Sequence, residues 1–122
     1  MNLQKFQEKL KVAEPESFPL SKNDHVNKVI SMSVQKGIDE GFGDHGEINQ
    51  IIVMEELNEL SQQISKYLRH KGSHYALLEE IADVLIGIEY LQMLLNITDE
   101  EVSKAVSVKI NRLEEDLNSS NP

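Results

Sequence analysis

ALLEEIADVLIGIEYLQMLLNI, residues 76–97, is the most apolar stretch of the chain. Its apolar residues fall nearly all the way round a helix, which predicts a helix surrounded by others rather than one lying on a surface. Asp83 and Glu89 interrupt the run, and its strongly apolar part, 81–95, is too short to span a bilayer comfortably, so a buried core helix is the better reading. The acids inside it decide more than the fold. A carboxylate in an apolar setting costs several kcal/mol unless something positive meets it. Glu80-Ile-Ala-Asp83 is such a pair, and Glu56-Leu-Asn-Glu59 repeats its spacing upstream.

Working outward, a helical pattern over 44–71 places Val53, Leu57, Leu60, Ile64 and Leu68 on one face, with Asp44 and Glu47 as a capping arrangement and Gly72 as a stop. Ser73 caps the apolar helix, which runs to about Asn96. Thr98 with Glu101 forms a capping box for a last helix carrying Val102, Val106, Ile110, Leu113 and Leu117. Upstream, Leu3, Phe6 and Leu10 mark a short first helix that Pro15 and Pro19 end, giving a helix and linker over 1–20. A second helix is expected over 21–37, with Val26, Val29, Ile30 and Val34 as its stripe and Ser21 or Asn23 as its cap. Glycines at 37, 41, 43 and 46 mark a loop holding Phe42, and residues 118–122 are expected to fray. No segment alternates apolar and polar residues. The expected fold is all-α: one domain over 1–122, an antiparallel bundle of four to five helices whose core is completed by oligomerisation.

Composition narrows the function classes. The 122 residues carry a formal net charge of -9 and a pI near 4.8, so nucleic-acid polymers and anionic membranes are disfavoured as partners. An anionic substrate needs a local cationic device. The chain has no cysteine, which excludes disulfides, thiolate ligands and a cysteine nucleophile and fits a reducing cytoplasm. Residues 1–10 mix Gln, Lys and Glu with spaced apolar residues, so no secretion signal is expected.

At about 100° per residue, Glu56 and Glu59 share a narrow sector beside the apolar stripe, while Glu55 points away. Glu80 and Asp83 have no obvious solvent-facing side. Two antiparallel helices can bring the pairs face to face, and four carboxylates in one cleft suit a hard cation, Mg²⁺ or Mn²⁺. The competing reading pairs them with Lys66 or Arg69 as salt bridges. Glu59, Gln63, Lys66 and His70 share a face, and residues 66–71, with Arg69 and Lys71, form the one basic cluster. A metal-bound polyphosphate extending from the carboxylates reaches Lys66 and Arg69; the alternative is favourable charge at a helix C-terminus. His25, His45 and His74 stand in no triad or ligand pattern, and Phe42, Tyr67 and Tyr90 are candidates for stacking on a base.

The order ExxE, about twenty residues, then ExxD, all on helices, resembles the MazG-like nucleoside triphosphate pyrophosphohydrolases of the all-α pyrophosphatase superfamily. The strings are Met54-Glu-Glu-Leu-Asn-Glu-Leu60 and Leu78-Glu-Glu-Ile-Ala-Asp-Val-Leu85, and the resemblance covers about 42–117, with Gln50 ahead of the first motif and Asn96-Ile-Thr-Asp-Glu-Glu-Val102 after the apolar helix. It implies Glu56, Glu59, Glu80 and Asp83 as Mg²⁺ ligands and hydrolysis of a nucleotide between its α- and β-phosphates. It also implies a homo-oligomer, dimer or tetramer, with clefts partly shaped by neighbouring subunits. Lys109 matches a lysine of the family's last helix as a phosphate contact, but Asn111 in Val108-Lys-Ile-Asn-Arg112 does not sit at the usual separation from it. A deoxyuridine nucleotide or a phosphoribosyl-nucleotide is the alternative substrate on the same fold. A non-catalytic helical interaction module is the alternative from another class.

Overall fold

A computed structural model describes residues 2–41 and 47–119, with backbone alone at 47–50. Asp44, His45 and Phe42, the side chains of Glu47 and Gln50, and the extreme C-terminus lie outside the described residues. The described chain is all-α: α1 (Leu3–Leu10), a 3₁₀ turn (Leu20–Lys22), α2 (Asp24–Asp39), α3 (Glu47–Leu68), α4 (His74–Leu95) and α5 (Asp99–Ser119). None of these helices is long and apolar enough to cross a membrane.

Local chemistry sets most of the boundaries. Asn23 starts α2: its side-chain oxygen accepts from the Val26 amide at 3.0 Å, whereas Ser21 belongs to the preceding 3₁₀ turn. Its amide nitrogen donates to Glu16 and to Ser17, and the residue is only 5% exposed, so one side chain both caps α2 and pins the linker. Ser73 accepts from the Ala76 amide at 3.1 Å to open α4. At α5 the capping box is reciprocal, with the Thr98 amide donating to Glu101 and the Glu101 amide to the Thr98 hydroxyl.

Three boundaries depart from the sequence reading. α5 continues to Ser119, so Asn118 and Ser119 are helical where the sequence predicts fraying. α2 continues past Gly37, which is buried within it, to Asp39. α3 stops at Leu68 because His70 adopts a left-handed backbone (φ 60°). The Lys71 amide then reaches the Lys66 carbonyl at 2.8 Å and the His70 amide the Tyr67 carbonyl at 3.0 Å, the double closure of a Schellman end. Gly72 serves in a different way. A Cβ there would stand 2.9 Å from the Tyr67 nitrogen, so only glycine lets the chain double back this tightly.

α3 and α4 form the closest-packed pair, and α2 lies against both. Val53, 4% exposed, meets the backbone of α4 at Gly87, where a Cβ would lie 3.2 Å from a Val53 methyl. Ile30 of α2, 3% exposed, is the other buried apolar side chain among the described residues. Val29, expected on the same stripe, is exposed, being about 100° round the helix from Ile30. α4 is not surrounded within one chain: Ile81, Ile86, Ile88 and Leu95 are all at least 40% exposed. α5 has at most marginal contact with the other elements. Its joint to α4 is held by Gln92, whose amide donates to Asp99 at 3.1 Å.

Candidate metal centre

The spacing of three within each acidic pair keeps both members near one helix face, and the α3–α4 hairpin then faces the two helices. Carboxylate oxygens of Glu56, Glu59 and Glu80 come within 4.8 Å of one another. Glu59 is exposed and the other two are half-buried. Asp83 falls outside this three-oxygen set, and its charge acts on Glu56.

The electrostatics match that crowding. Burial, then the charges of Asp83, Glu59 and Glu80 push the Glu56 carboxyl up from an ordinary 4.5 to about 7. Burial, then the charges of Glu59, Asp83 and Glu79, also raises Glu80. One oxygen of Glu56 and one of Glu80 are buried with no hydrogen-bond partner. No cationic side chain among the described residues pairs with them. The ion pairs among the described residues are His25 with Glu16, Lys36 with Glu40 and Lys104 with Glu100, all outside the cluster.

Orphaned carboxylate oxygens converging without a countercharge are the donor set that a hard divalent cation takes. The salt-bridge alternative finds no support here. Lys66 is exposed near the end of α3, and Arg69 turns its Nε to the Ser65 carbonyl at 3.3 Å. Lys109 is exposed on α5, a helix not packed against α3.

Beside the cluster lies a cavity of about 220 Å³ lined by Glu56 and Asp83 together with Ser33, Ile52, Ile86 and Tyr90, and floored by the Val53–Gly87 contact. Of the two aromatic candidates among the described residues, Tyr90 reaches this space; Tyr67 lines a separate surface pocket with His70 and Gly72. Ser33 was not singled out from sequence. Its signal is nonetheless there: Ile30, Ser33 and Gly37 share one face of α2, and small residues on an apolar face let a neighbouring helix come close.

No protein-family model, curated protein or solved structure matches this chain.

Proposed function

We propose that the chain is a Mg²⁺-dependent nucleotide pyrophosphohydrolase that cleaves a nucleoside triphosphate between its α- and β-phosphates, releasing nucleoside monophosphate and pyrophosphate. The observation that carries this reading is the pair of buried, unpartnered oxygens on Glu56 and Glu80, converging with Glu59 and met by no cationic side chain among the described residues. The sequence strings around them, which resemble the MazG-like family, supply the reaction class.

On this reading Glu56, Glu59 and Glu80 hold the metal, which Mn²⁺ can replace. When bound, it supplies charge neutralisation for phosphate oxygens. The remaining work falls to the chain. Asp83, outside the three-oxygen set, takes the proton of the attacking water as that oxygen bonds to phosphorus and the bridging P–O bond breaks. The cavity between α2, α3 and α4 takes the nucleoside, with Tyr90 at its wall and Ser33 as a hydroxyl for the base or sugar. Lys66 and Arg69, further along α3, meet the outer phosphates; Lys109 does so from α5. The working form is a homo-oligomeric helical bundle, which covers the apolar faces that one chain leaves open.

The test is pyrophosphate release from a panel of ribo- and deoxyribonucleoside triphosphates with Mg²⁺, run beside Asp83→Asn. Metal-dependent release that the variant loses supports the reading and ranks the bases. Absence of release from every nucleotide at high enzyme concentration contradicts it.

A further inference from the structure

α2 closes one side of the cavity through Ser33, while α3 and α4 supply the other lining residues. How firmly α2 is held there follows from the face it turns inward. Its less exposed residues are Val26, Asn27, Ile30, Ser33, Val34 and Gly37, which fall within about 120° of the helix circumference. Asn27, Ser33 and Gly37 bring little apolar area to that face, and Ile30 is the one apolar side chain that α2 buries among the described residues. Elements with so few buried apolar contacts sit at the low end of local stability.

The hydrogen bonds point the same way. Among the described residues, the side-chain hydrogen bonds that leave α2 and its cap go to the linker and the 3₁₀ turn, and none goes to α3 or α4. Asn23 donates to Glu16 and to the Ser17 carbonyl and hydroxyl, His25 pairs with Glu16, and Asn27 donates to the Ser21 carbonyl at 2.8 Å. Hydrogen bonds from Asn23 and then His25 hold the Glu16 carboxyl below the ordinary carboxylate range. This N-terminal segment has its own anchor, since α1 and the 3₁₀ turn both pack on α4. Under it Phe18, Leu20, Val26, Leu85 and Ile86 line an apolar gap of about 180 Å³, and Ile86 lines the cavity as well. Unfilled space beside α2 leaves few dispersion contacts to break when the helix tilts.

We propose that α2 is a movable wall of the cavity and that Glu16, Asn23 and His25 form the catch that holds it shut. Glu16 and His25 are exposed, at 45% and 68%, so water replaces their bonds as the catch opens and the α3–α4 hairpin stays folded. The device stands whether or not the cavity takes a nucleoside.

The chain has no cysteine, so Ile30→Cys places a single thiol at a position only 3% exposed on the inner face of α2. Its reaction with a small aromatic disulfide reagent, followed against urea concentration, tests the proposal. At low urea the rate should barely depend on urea, the mark of an opening that exposes little surface, and a steep dependence should follow where global unfolding takes over. Adding Glu16→Ala should raise the low-urea rate about tenfold, the equivalent of one or two hydrogen bonds of ordinary net strength. Lys36→Ala removes an exposed ion pair of α2 outside the catch and should leave the rate unchanged. Because Ile30→Cys thins the core, spin labels at Met32→Cys and Leu68→Cys, both exposed, read the same motion as a shifted or broadened distance in the Glu16→Ala chain. A thiol rate that follows global unfolding at every urea concentration overturns the proposal, as does a Glu16→Ala chain whose thiol rate and label distance match those of its parent.

Discussion

Replacing Glu56 by Gln removes one negative charge from the cluster and keeps the shape of the side chain. In the folded chain the Glu56 carboxyl titrates near 7 against an ordinary 4.5, so between those values the native state holds a proton that the unfolded state has released. Native proton uptake of this kind stabilises at low pH. The contribution is complete below about pH 4.5 and is lost as pH rises through 7. The full difference corresponds to roughly 3 kcal/mol, and solvent access to the half-buried carboxyl brings it to about 1–2 kcal/mol. Metal-free Glu56→Gln should therefore unfold at the same temperature as wild type near pH 4.5 and roughly 3–10 °C higher at pH 8. Added Mg²⁺ should reverse the order at pH 8, because a ligand at a hundred times its Kd stabilises by about 2.7 kcal/mol and the variant has lost one ligand. Differential scanning calorimetry at both pH values, with chelator and with Mg²⁺, reads all four states. A metal-free variant less stable than wild type at pH 8 would refute the reasoning, since it would mean that a cation already meets Glu56.

Three further outcomes follow from the packing and the cluster. Asn23→Ala removes the α2 cap and the links to Glu16 and Ser17, and should cost about 2–4 kcal/mol in urea unfolding; a loss below 0.5 kcal/mol, roughly the low end of capping effects, would contradict that role. Gly87→Leu drives a side chain into Val53 and should destabilise by about 1–3 kcal/mol, with Val53→Ala in the same chain recovering part of the loss. Tyr90→Ala opens the cavity wall and should raise KM for the preferred nucleotide several-fold with kcat little changed, and a fall in kcat at constant KM would place Tyr90 elsewhere in the reaction.

What the sequence made legible was local. Ser73, Asn23 and the Thr98–Glu101 box appear where their side chains predicted, because capping involves residues only three positions apart. The facing of the ExxE and ExxD pairs was legible for the same reason, since helical period alone fixes which residues share a side. His70 was not, because a non-glycine left-handed residue is uncommon, and here it lets Lys71 reach back to the Lys66 carbonyl. The separation of Asp83 from the three-oxygen set depends on the offset between two helices, which period does not determine. The surroundings of α4 were misjudged within one chain for a related reason. Hydropathy says that Ile81 and Ile88 want cover, not which polypeptide supplies it.

The central claim is that Glu56, Glu59 and Glu80 hold a divalent cation, and the most direct measurement is Mn²⁺ binding followed by electron paramagnetic resonance of the free ion. The wild type should take up Mn²⁺ stoichiometrically in competition with Mg²⁺, with affinity rising between pH 5 and pH 8 as Glu56 gives up its proton, and the double variant Glu59→Gln/Glu80→Gln should lose that uptake while keeping its helix content. Equal Mn²⁺ uptake by the wild type and the double variant, or none by either, would contradict the account.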